Sequence, residues 1–146
     1  MPLVFVMLNS ANTPSLIAIP KFRDPRGNLS VIEDFKQIPF SIERAYWIYD
    51  VPGGSNRHGH AFRTQQELIV ALSGCFDVIL DNGSGPVRYR LDRAYVGLYV
   101  PAMTWRLIDN FATNSVALVL SSTKYDPADY IEDYDQYITA INSTKP

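Results

Sequence analysis

Short runs of β-branched and aromatic residues, separated by tight-turn sequences, divide most of the chain and constrain its fold more than any other feature. The turn sequences are PRG, PGG, SG and DNGSGP, which start at Pro25, Pro52, Ser73 and Asp81. Glycine, proline, asparagine and aspartate adopt turn dihedrals at low energetic cost. Short strands at this spacing predict an antiparallel β-barrel or sandwich. The predicted strands cover residues 3–8, 15–19, 29–33, 42–49, 58–63, 67–72, 76–80, 87–91, 97–100, 105–108 and 116–121.

A helix is predicted only near the C-terminal end, in the segment DPADYIEDYDQYITAIN, residues 126–142. Asp126 is a suitable N-cap, and Pro127 is favoured at the first helical position. The helical repeat places four apolar or aromatic residues on one face, namely Ile131, Tyr134, Ile138 and Ile141. A length of 146 residues fits one domain. We therefore expect residues 1–146 to form a single all-β domain with a short C-terminal helix.

The charge balance and the single cysteine restrict the partners and the compartment. Thirteen Lys and Arg residues against fifteen Asp and Glu residues give a net charge of −2, which does not favour nucleic acid or an anionic membrane as a partner. The lone Cys75 cannot form an internal disulfide, which favours a reducing compartment. The apolar run PLVFVML is shorter than the roughly 20 residues of a membrane span and lacks the basic start of a signal peptide. We expect a cytoplasmic protein.

The two histidines of the chain lie in the segment GGSNRHGHAFRTQQELIVALSG, residues 53–74. From Gly54, five residues lead to His60, and Glu67 and Gly74 follow at further fixed intervals. This spacing resembles the first motif of the cupins, which are small jelly-roll β-barrels. The segment PAMTWRLIDN, residues 101–110, resembles their second motif. The two motifs together predict a cupin barrel.

Both cupin motifs depart from the family pattern at a position that usually binds metal. Phe62 stands where the first motif has its second histidine, and Arg106 stands where the second motif has a histidine. A metal site needs about three or four nitrogen or oxygen donors, whereas Phe62 supplies none and Arg106 adds a permanent positive charge. His58 shares a strand face with positions 60 and 62 and can replace one donor, but Arg106 would remain. We expect no metal.

Longer phrases resemble one cupin family, the nucleotide-sugar 3,4-ketoisomerases or WxcM-like cupins: DPRGNLSVIED, IPFSIERAYWIYDVPGG, LIVALSGCFDVILDNG, VGLYVPAMTW and YDPADYIEDYDQYI. The resemblance spans residues 17–138 and implies an RmlC-like cupin that forms a homodimer and needs no cofactor. It implies conversion of dTDP-4-keto-6-deoxyglucose to a dTDP-3-keto-6-deoxyhexose, from which an aminotransferase makes a 3-amino sugar for surface glycans. The apolar segment LVFVML is suited to pair at a sheet edge or to swap in such a dimer.

The implied reaction removes the C3 proton of the sugar, forms an enediolate and returns a proton at C4. An imidazole suits both steps at neutral pH, and His60 occupies the position of the family's catalytic histidine. Tyr46 matches the family's active-site tyrosine and can move the hydroxyl proton between O3 and O4. Family members usually have histidines at both positions 60 and 62. Because position 62 is Phe62, we assign His58 a helping or structural role, with the alternative that it takes over the lost function.

Charged and aromatic residues near the motifs are assigned to the substrate. Arg106 and Arg26 are suited to stabilise the oxyanion, and Arg57 and Arg63 to hold the pyrophosphate in a bidentate manner. The predicted substrate-binding residues are Arg57, Arg63, Glu67 and Trp105. Family members carry histidine or arginine at position 106, and arginine favours the product with the gluco configuration at C4.

Simpler interpretations of the same residues stay open. His60 can be a hydrogen-bonded barrel residue, Tyr46 one of nine tyrosines, Arg26 a turn residue paired with Asp24, and Arg57 and Arg63 solvated charges. An inward-pointing Arg106 needs a partner, since an unpaired buried charge is very costly. The alternative functions are a sugar-nucleotide epimerase and a non-catalytic carbohydrate-binding cupin, which Phe62 favours. Phe62 and Arg106, at two positions that usually bind metal in cupins, argue against a metal-dependent dioxygenase.

Overall fold

The computed structural model describes residues 12–144, which form mostly short antiparallel β-strands. The elements are β1 (Ser15–Ala18), β2 (Lys21–Asp24), β3 (Gly27–Ser30), β4 (Arg44–Ile48), β5 (Arg57–Phe62), β6 (Glu67–Ser73), β7 (Phe76–Asp81), β8 (Pro86–Leu91), β9 (Val96–Val100), β10 (Trp105–Asp109), β11 (Val116–Ser121), a 3-10 turn at Pro127–Asp129, β12 (Tyr130–Ile131) and α1 (Tyr134–Ser143).

Two five-stranded sheets carry the fold. The first sheet has the strand order β1-β9-β6-β11-β4 and the second has the order β12-β5-β10-β7-β8, while β2 and β3 form a separate hairpin. All strand pairs between these elements are antiparallel. The all-β prediction with a short C-terminal helix is therefore confirmed for the part of the chain that the structure describes.

The core lies between the facing sides of the two sheets. Alternate residues of each strand point inward, so that Ile69 and Val119 of the first sheet join Val78 and Ile108 of the second in one buried cluster. Each of these four side chains is fully buried. The core fills the middle of the sandwich, which leaves polar residues of β4, β5 and β10 to line an opening at one end.

The predicted strands between residues 15 and 121 all overlap observed strands. Neither β2 nor β12 was predicted, because Lys21–Asp24 is fully exposed and Tyr130–Ile131 is too short to show alternation. The predicted strand at residues 3–8 lies outside the described residues. Within residues 12–144, no helix is long and apolar enough to cross a membrane.

The predicted start of the C-terminal helix is wrong. Asp126 caps only the 3-10 turn, and the α-helix begins at Tyr134 with Asp133 as its N-cap, whose carboxylate accepts a hydrogen bond from the Gln136 backbone N–H at 2.9 Å. The helix starts late because Tyr130 pairs with Phe62 as part of a short strand, and strand pairing requires an extended backbone. Its buried face is therefore centred on Tyr137 and Ile141.

Trp105 lies on the outer side of the second sheet, against α1, and not in the opening. Its indole packs beside the rings of Tyr134 and Tyr137, with ring centroids 5.3 and 5.6 Å away. It also lies directly over Gly59, where an added Cβ would come within 2.5 Å of the indole Nε1. The predicted substrate-binding role of Trp105 conflicts with this position, because strand alternation turns Trp105 and Arg106 to opposite faces.

We predict that Gly59→Ala destabilises the fold, because the new methyl group would displace Trp105 from a packed position. Overpacking of this kind costs about 1–3 kcal/mol, and each kcal/mol lowers the Tm of a domain of this size by roughly 2–4 °C. Thermal unfolding followed by tryptophan fluorescence measures the change. Gly53→Ala is the matched control, because an added Cβ there meets nothing within 4 Å. Equal Tm values for the two variants would contradict the packing role of Gly59.

Candidate active site

A pocket of about 510 Å³ opens between β4 of the first sheet and β5 and β10 of the second. Tyr46 lies on its β4 side, and His60 and Arg106 lie on its β5 and β10 side. His60 and Arg106 are directly opposite each other in the antiparallel ladder, which turns both side chains to the same face of the sheet. The structure thus brings three of the predicted catalytic residues together.

A buried polar network forms the floor of this pocket. The Arg106 Nε donates to Glu67 Oε1 at 2.5 Å, and its Nη2 donates to the Tyr46 hydroxyl at 2.7 Å. The Tyr46 hydroxyl in turn donates to Glu67 Oε2 at 2.7 Å. Glu67 is fully buried and Arg106 is 2% exposed. Each charge therefore needs the opposite charge beside it, because an unpaired buried charge is strongly destabilising. Arg106 therefore has the partner that its inward position demands.

Glu67 acts within this network and does not contact the pocket. Gln65 donates a further hydrogen bond from its Nε2 to Glu67 Oε2 at 3.1 Å, and Glu67 is not among the residues that line the pocket. The predicted substrate-binding role of Glu67 therefore conflicts with its burial. Its carboxylate instead orients Arg106 and Tyr46, because it bonds to both.

Burial and neighbouring groups shift the pKa values of Arg106 and Tyr46. Burial works against the charge of Arg106, but Glu67 and then Tyr46 together offset this effect, so that the pKa of Arg106 is raised above its ordinary value. Burial raises the pKa of Tyr46 well above its ordinary value, although the nearby Arg106 charge acts in the opposite direction. Tyr46 is thus a neutral phenol at physiological pH, with a proton that it can pass on.

His60 lines the pocket, and one of its ring nitrogens has no hydrogen-bond partner among the described residues. Its Nδ1 lies 3.3 Å from the His58 carbonyl oxygen, and donation to that oxygen selects the tautomer whose Nε2 carries a lone pair. Nε2 is buried and has no hydrogen-bond partner among residues 12–144. Burial, followed by the charge of Arg106, lowers the pKa of His60 from 6.5 to about 4. At neutral pH the ring is therefore neutral and available as a base.

Aromatic rings surround the imidazole. The Phe62 ring lies edge-on to His60 with centroids 4.9 Å apart, and the Tyr130 ring lies 5.3 Å from His60 and 4.6 Å from Phe62. Phe62 also lies near Arg106, whose Cζ is 5.9 Å from the ring centroid. Phe62 thus supplies no donor, but it removes water from one side of the base.

The structure separates the remaining predicted residues into two groups. His58 and Arg57 line the outer part of the pocket, where both are exposed. Arg63 is exposed and is not among the residues that line the pocket. Arg26 lies at the tip of the β2–β3 hairpin, where its 90% exposed side chain pairs with Asp24 at 2.8 Å. Within one chain, the structure therefore does not bring Arg26 or Arg63 to the pocket.

The donor set of the pocket does not fit a metal ion. In the part of the chain from residue 12 to residue 144, no group of three or more His, Cys, Asp or Glu side chains is placed to hold one. Arg106 lies opposite His60 in the ladder, and its positive charge opposes a cation there.

Several pocket residues were not predicted from the sequence, above all Arg44, Tyr125 and Tyr130. Arg44 lies two residues before Tyr46 on β4, and residues two apart on a strand share a face. The alternation of β4 could therefore have predicted that Arg44 lies on the same face as Tyr46. Tyr125 and Tyr130 reach the pocket from the segment that was predicted as a helix or left unassigned, and only the observed pairing of β12 with β5 places them there.

Similar proteins are found by sequence and by structure. A TDP-4-oxo-6-deoxy-alpha-D-glucose-3,4-oxoisomerase from Aneurinibacillus thermoaerophilus is 41% identical over 133 residues, which cover 89% of this chain and 96% of that protein. The TDP-quinovose 3,4-ketoisomerase WlaRB from Campylobacter jejuni is 34% identical with a TM-score of 0.84, over 86% of this chain and 97% of that one.

A second solved structure, the sugar 3,4-ketoisomerase QdtA from Thermoanaerobacterium thermosaccharolyticum in complex with TDP, is 32% identical with a TM-score of 0.87, over 89% of this chain and 95% of that one. The RmlC epimerase of Mycobacterium tuberculosis, at 18% identity and a TM-score of 0.69, shares the fold, which confirms the predicted RmlC-like cupin architecture. Residues 12–142 match the family described as FdtA: WxcM-like, C-terminal. This chain belongs to that family.

Proposed function

We propose that the chain converts TDP-4-keto-6-deoxyglucose to a TDP-3-keto-6-deoxyhexose, with His60 as the base that moves the proton between C3 and C4. TDP and dTDP both denote thymidine diphosphate. The observation that carries the proposal is His60, which lines the pocket beside the Tyr46–Arg106–Glu67 network and whose buried Nε2 has no hydrogen-bond partner among residues 12–144. The related enzymes support the substrate class, since a variant of QdtA was crystallised with TDP-4-keto-6-deoxyglucose.

The first step is removal of the C3 proton. The neutral His60 Nε2 accepts the proton, the two electrons of the C3–H bond form a C3–C4 double bond, and the carbonyl oxygen O4 becomes an oxyanion. Arg106 lies opposite His60 on the neighbouring strand and supplies a fixed positive charge for this oxyanion. The paired Glu67 moderates that charge but keeps the guanidinium in place.

The second step exchanges the roles of the two oxygens. Tyr46 donates its proton to O4 and receives the proton of the O3 hydroxyl, so that O3 becomes the carbonyl oxygen when a proton returns to C4. The high pKa of Tyr46 keeps it protonated between turnovers. Atoms and charge balance, because the proton taken from C3 is matched by the proton delivered to C4.

The proton donor for C4 depends on the face that is protonated. His60 can return the proton on the face from which it was taken. For the opposite face, His58 is the available imidazole, because it lines the same pocket and position 62 carries the ring of Phe62. We assign His58 this helping role and the gluco configuration to the product, as Arg106 favours. We also propose a cytoplasmic location, which the single cysteine of the chain, Cys75, favours.

The decisive experiment is an NMR time course of the purified protein with TDP-4-keto-6-deoxyglucose in D₂O. We expect a 3-keto product that carries deuterium at C4. His60→Asn should lower kcat by at least ~10²-fold, the usual contribution of a positioned base, while TDP affinity stays within a few-fold. A fully active His60→Asn would overturn the assignment of the base.

The controls distinguish the alternative functions. His58→Asn should lower kcat by a factor comparable to that of His60→Asn if His58 delivers the proton to C4, and by less if His58 has only a structural role. Exchange at C3 or C5 without movement of the carbonyl would indicate an epimerase, and binding without exchange would indicate a non-catalytic cupin. Addition of EDTA should leave the rate unchanged, because we predict a metal-independent reaction.

The pH dependence should report the low pKa of His60. Protonation of the ring removes its lone pair, so kcat/KM should fall as the pH drops through about 4 and not through 6.5. Initial rates between pH 3.5 and 8, with far-UV circular dichroism at each pH to verify folding, measure this limb. An acidic limb near 6.5 in folded protein would contradict the buried, neutral base.

We also propose that the enzyme is a homodimer and that the β2–β3 hairpin packs on the partner subunit. All eight residues of the two strands are exposed. Phe22 and Leu29 are opposite each other across the hairpin and are 58% and 61% exposed. An isolated two-stranded hairpin is marginally stable in water, so a covering surface would stabilise it. Such packing would bring Arg26, at the tip of the hairpin, against the partner subunit.

Light scattering should give twice the 16.5 kDa chain mass. The double substitution Phe22→Ser with Leu29→Ser should weaken the dimer, because it removes the apolar pair at the hairpin. Val87→Ser is the control, since Val87 is 53% exposed on another strand. A monomer at micromolar concentration would contradict the dimer, and a dimer unaffected by the double substitution would contradict the role of the hairpin.

A further inference from the structure

Asp129 has a buried carboxylate that none of the proposed reaction steps uses. It is 8% exposed and lies at the end of the 3-10 turn that precedes β12. Within residues 12–144 it forms no ion pair with a lysine, arginine or histidine. A carboxylate that is removed from water without a cation needs several hydrogen-bond donors beside it. The donors around Asp129 therefore indicate what this residue holds in place.

Three donors of the turn between β5 and β6 bond to the Asp129 carboxylate. Its Oδ1 accepts from the backbone N–H and from the hydroxyl of Thr64, both at 2.9 Å, and its Oδ2 accepts from the Gln65 backbone N–H at 3.0 Å. The Asp129 carbonyl also accepts from the Arg63 backbone N–H at 2.9 Å. Asp129 thus attaches the start of β12 to the turn that follows β5.

The next residue along the chain, Tyr130, contacts the imidazole of His60. Its ring centroid lies 5.3 Å from that of His60, and its backbone pairs with Phe62 in a ladder between β12 and β5 that has only two residue pairs. A pairing between two short strands is only marginally stable by itself in water. The hydrogen bonds of Asp129, directly before this ladder, are placed to stabilise it.

We propose that Asp129 is a positioning residue that holds the Tyr130 ring against His60. The proposal rests on the proposed function, because it takes His60 as the base whose surroundings Asp129 maintains. Tyr130 lines the pocket and Asp129 does not, so Asp129 acts through Tyr130. Without its hydrogen bonds, water would reach the side of the imidazole that the Tyr130 ring covers.

A carboxylate suits position 129 because both of its oxygens accept hydrogen bonds. An asparagine has nearly the same volume but offers one oxygen and one NH₂ group. The NH₂ group of Asp129→Asn would face a donor, either at Thr64 or at the Gln65 N–H. This substitution therefore leaves a buried N–H group without an acceptor and weakens the attachment of β12.

The sign of the change in the pKa of His60 separates hydration from charge. Burial is the largest cause of the low pKa of His60, so added water raises that pKa toward 6.5. Loss of a negative charge at position 129 acts in the opposite direction, since it disfavours the imidazolium. The charged and titratable groups that surround His60 are unchanged in the variant; they are Arg44 and Tyr46 of β4, Arg57 and His58 of β5, Glu67 of β6, Arg106 of β10, Tyr130 of β12 and, directly after it, Glu132.

NMR titration of the two histidine rings between about pH 3.5 and 8 measures this pKa without substrate. His58→Asn assigns the two signals. We expect His60 of the wild type to titrate near pH 4, and Asp129→Asn to raise the pKa of His60 by at least ~1 unit through hydration. The acidic limb of kcat/KM should move in the same direction.

Asp126→Asn is the matched control, because it removes a charge of the same sign from the same 3-10 turn. The Asp126 carboxylate is exposed and accepts from the Ala128 N–H inside that turn, so its loss does not release β12 from β5. We expect the pKa of His60 to stay at its wild-type value in Asp126→Asn.

Tyr130→Ala tests the route by which Asp129 acts. Removal of the ring should itself raise the pKa of His60, and Asp129→Asn should add no further rise in the Tyr130→Ala background. A further rise in the double variant would mean that Asp129 acts through Gln65 and the Glu67–Arg106 pair, and would overturn the proposal.

The proposal is also overturned if folded Asp129→Asn leaves the pKa of His60 unchanged or lowers it, or if the wild type already titrates near 6.5. Far-UV circular dichroism verifies folding at each pH. Should Asp129→Asn not fold, Thr64→Val decides, because it removes one of the three donors and keeps the carboxylate; an unchanged pKa of His60 there overturns the proposal. Failure of the wild type to isomerise TDP-4-keto-6-deoxyglucose would overturn the proposed function, whereas the titration would still test the role of Asp129.

Discussion

The buried Arg106–Glu67 pair is the interaction on which the arrangement of the pocket depends. Glu67 and Tyr46 belong to the first sheet and Arg106 to the second, so their hydrogen bonds join the two sheets at the pocket floor. A buried ion pair is often no more stabilising than apolar packing. The effect of this pair is to fix the positions of the side chains at the pocket floor. It holds a cation and a phenol at fixed positions opposite His60, and through Gln65 it also orients Arg44.

Phe62 does more than replace a histidine at position 62, because its ring also changes the surroundings of His60. Its ring, together with that of Tyr130, excludes water from one side of His60 and adds to the burial that lowers the pKa of the imidazole. The second histidine of the chain is instead at position 58, where it is exposed and lines the outer part of the pocket. Gly59 lies between the two histidines, and the close cover by Trp105 leaves no room for a side chain there.

The sequence was sufficient to predict the sheet architecture, because strand alternation is a local signal. Motif spacing and the family resemblance also pointed to Tyr46, His60 and Arg106, which the structure brings into one pocket. Alternation also implies that Trp105 faces away from Arg106. The burial of Glu67 could not be predicted, because it depends on three strands from two sheets. The late start of α1 depends on pairing between Tyr130 and Phe62, which are distant in sequence, and no local pattern reveals such pairing.

The net charge of the chain gives a poor guide to its ligand. A charge of −2 argues against binding to polyanions, yet the pocket is lined by Arg44, Arg57 and Arg106. What decides the local potential is how many of these charges are paired inside the fold. Arg106 is compensated by Glu67, whereas Arg44 has only neutral partners among the described residues. In a partly water-excluded pocket, one uncompensated cation attracts an anion more strongly than several solvated charges on the surface. A small anionic substrate is therefore compatible with a protein whose overall charge is negative.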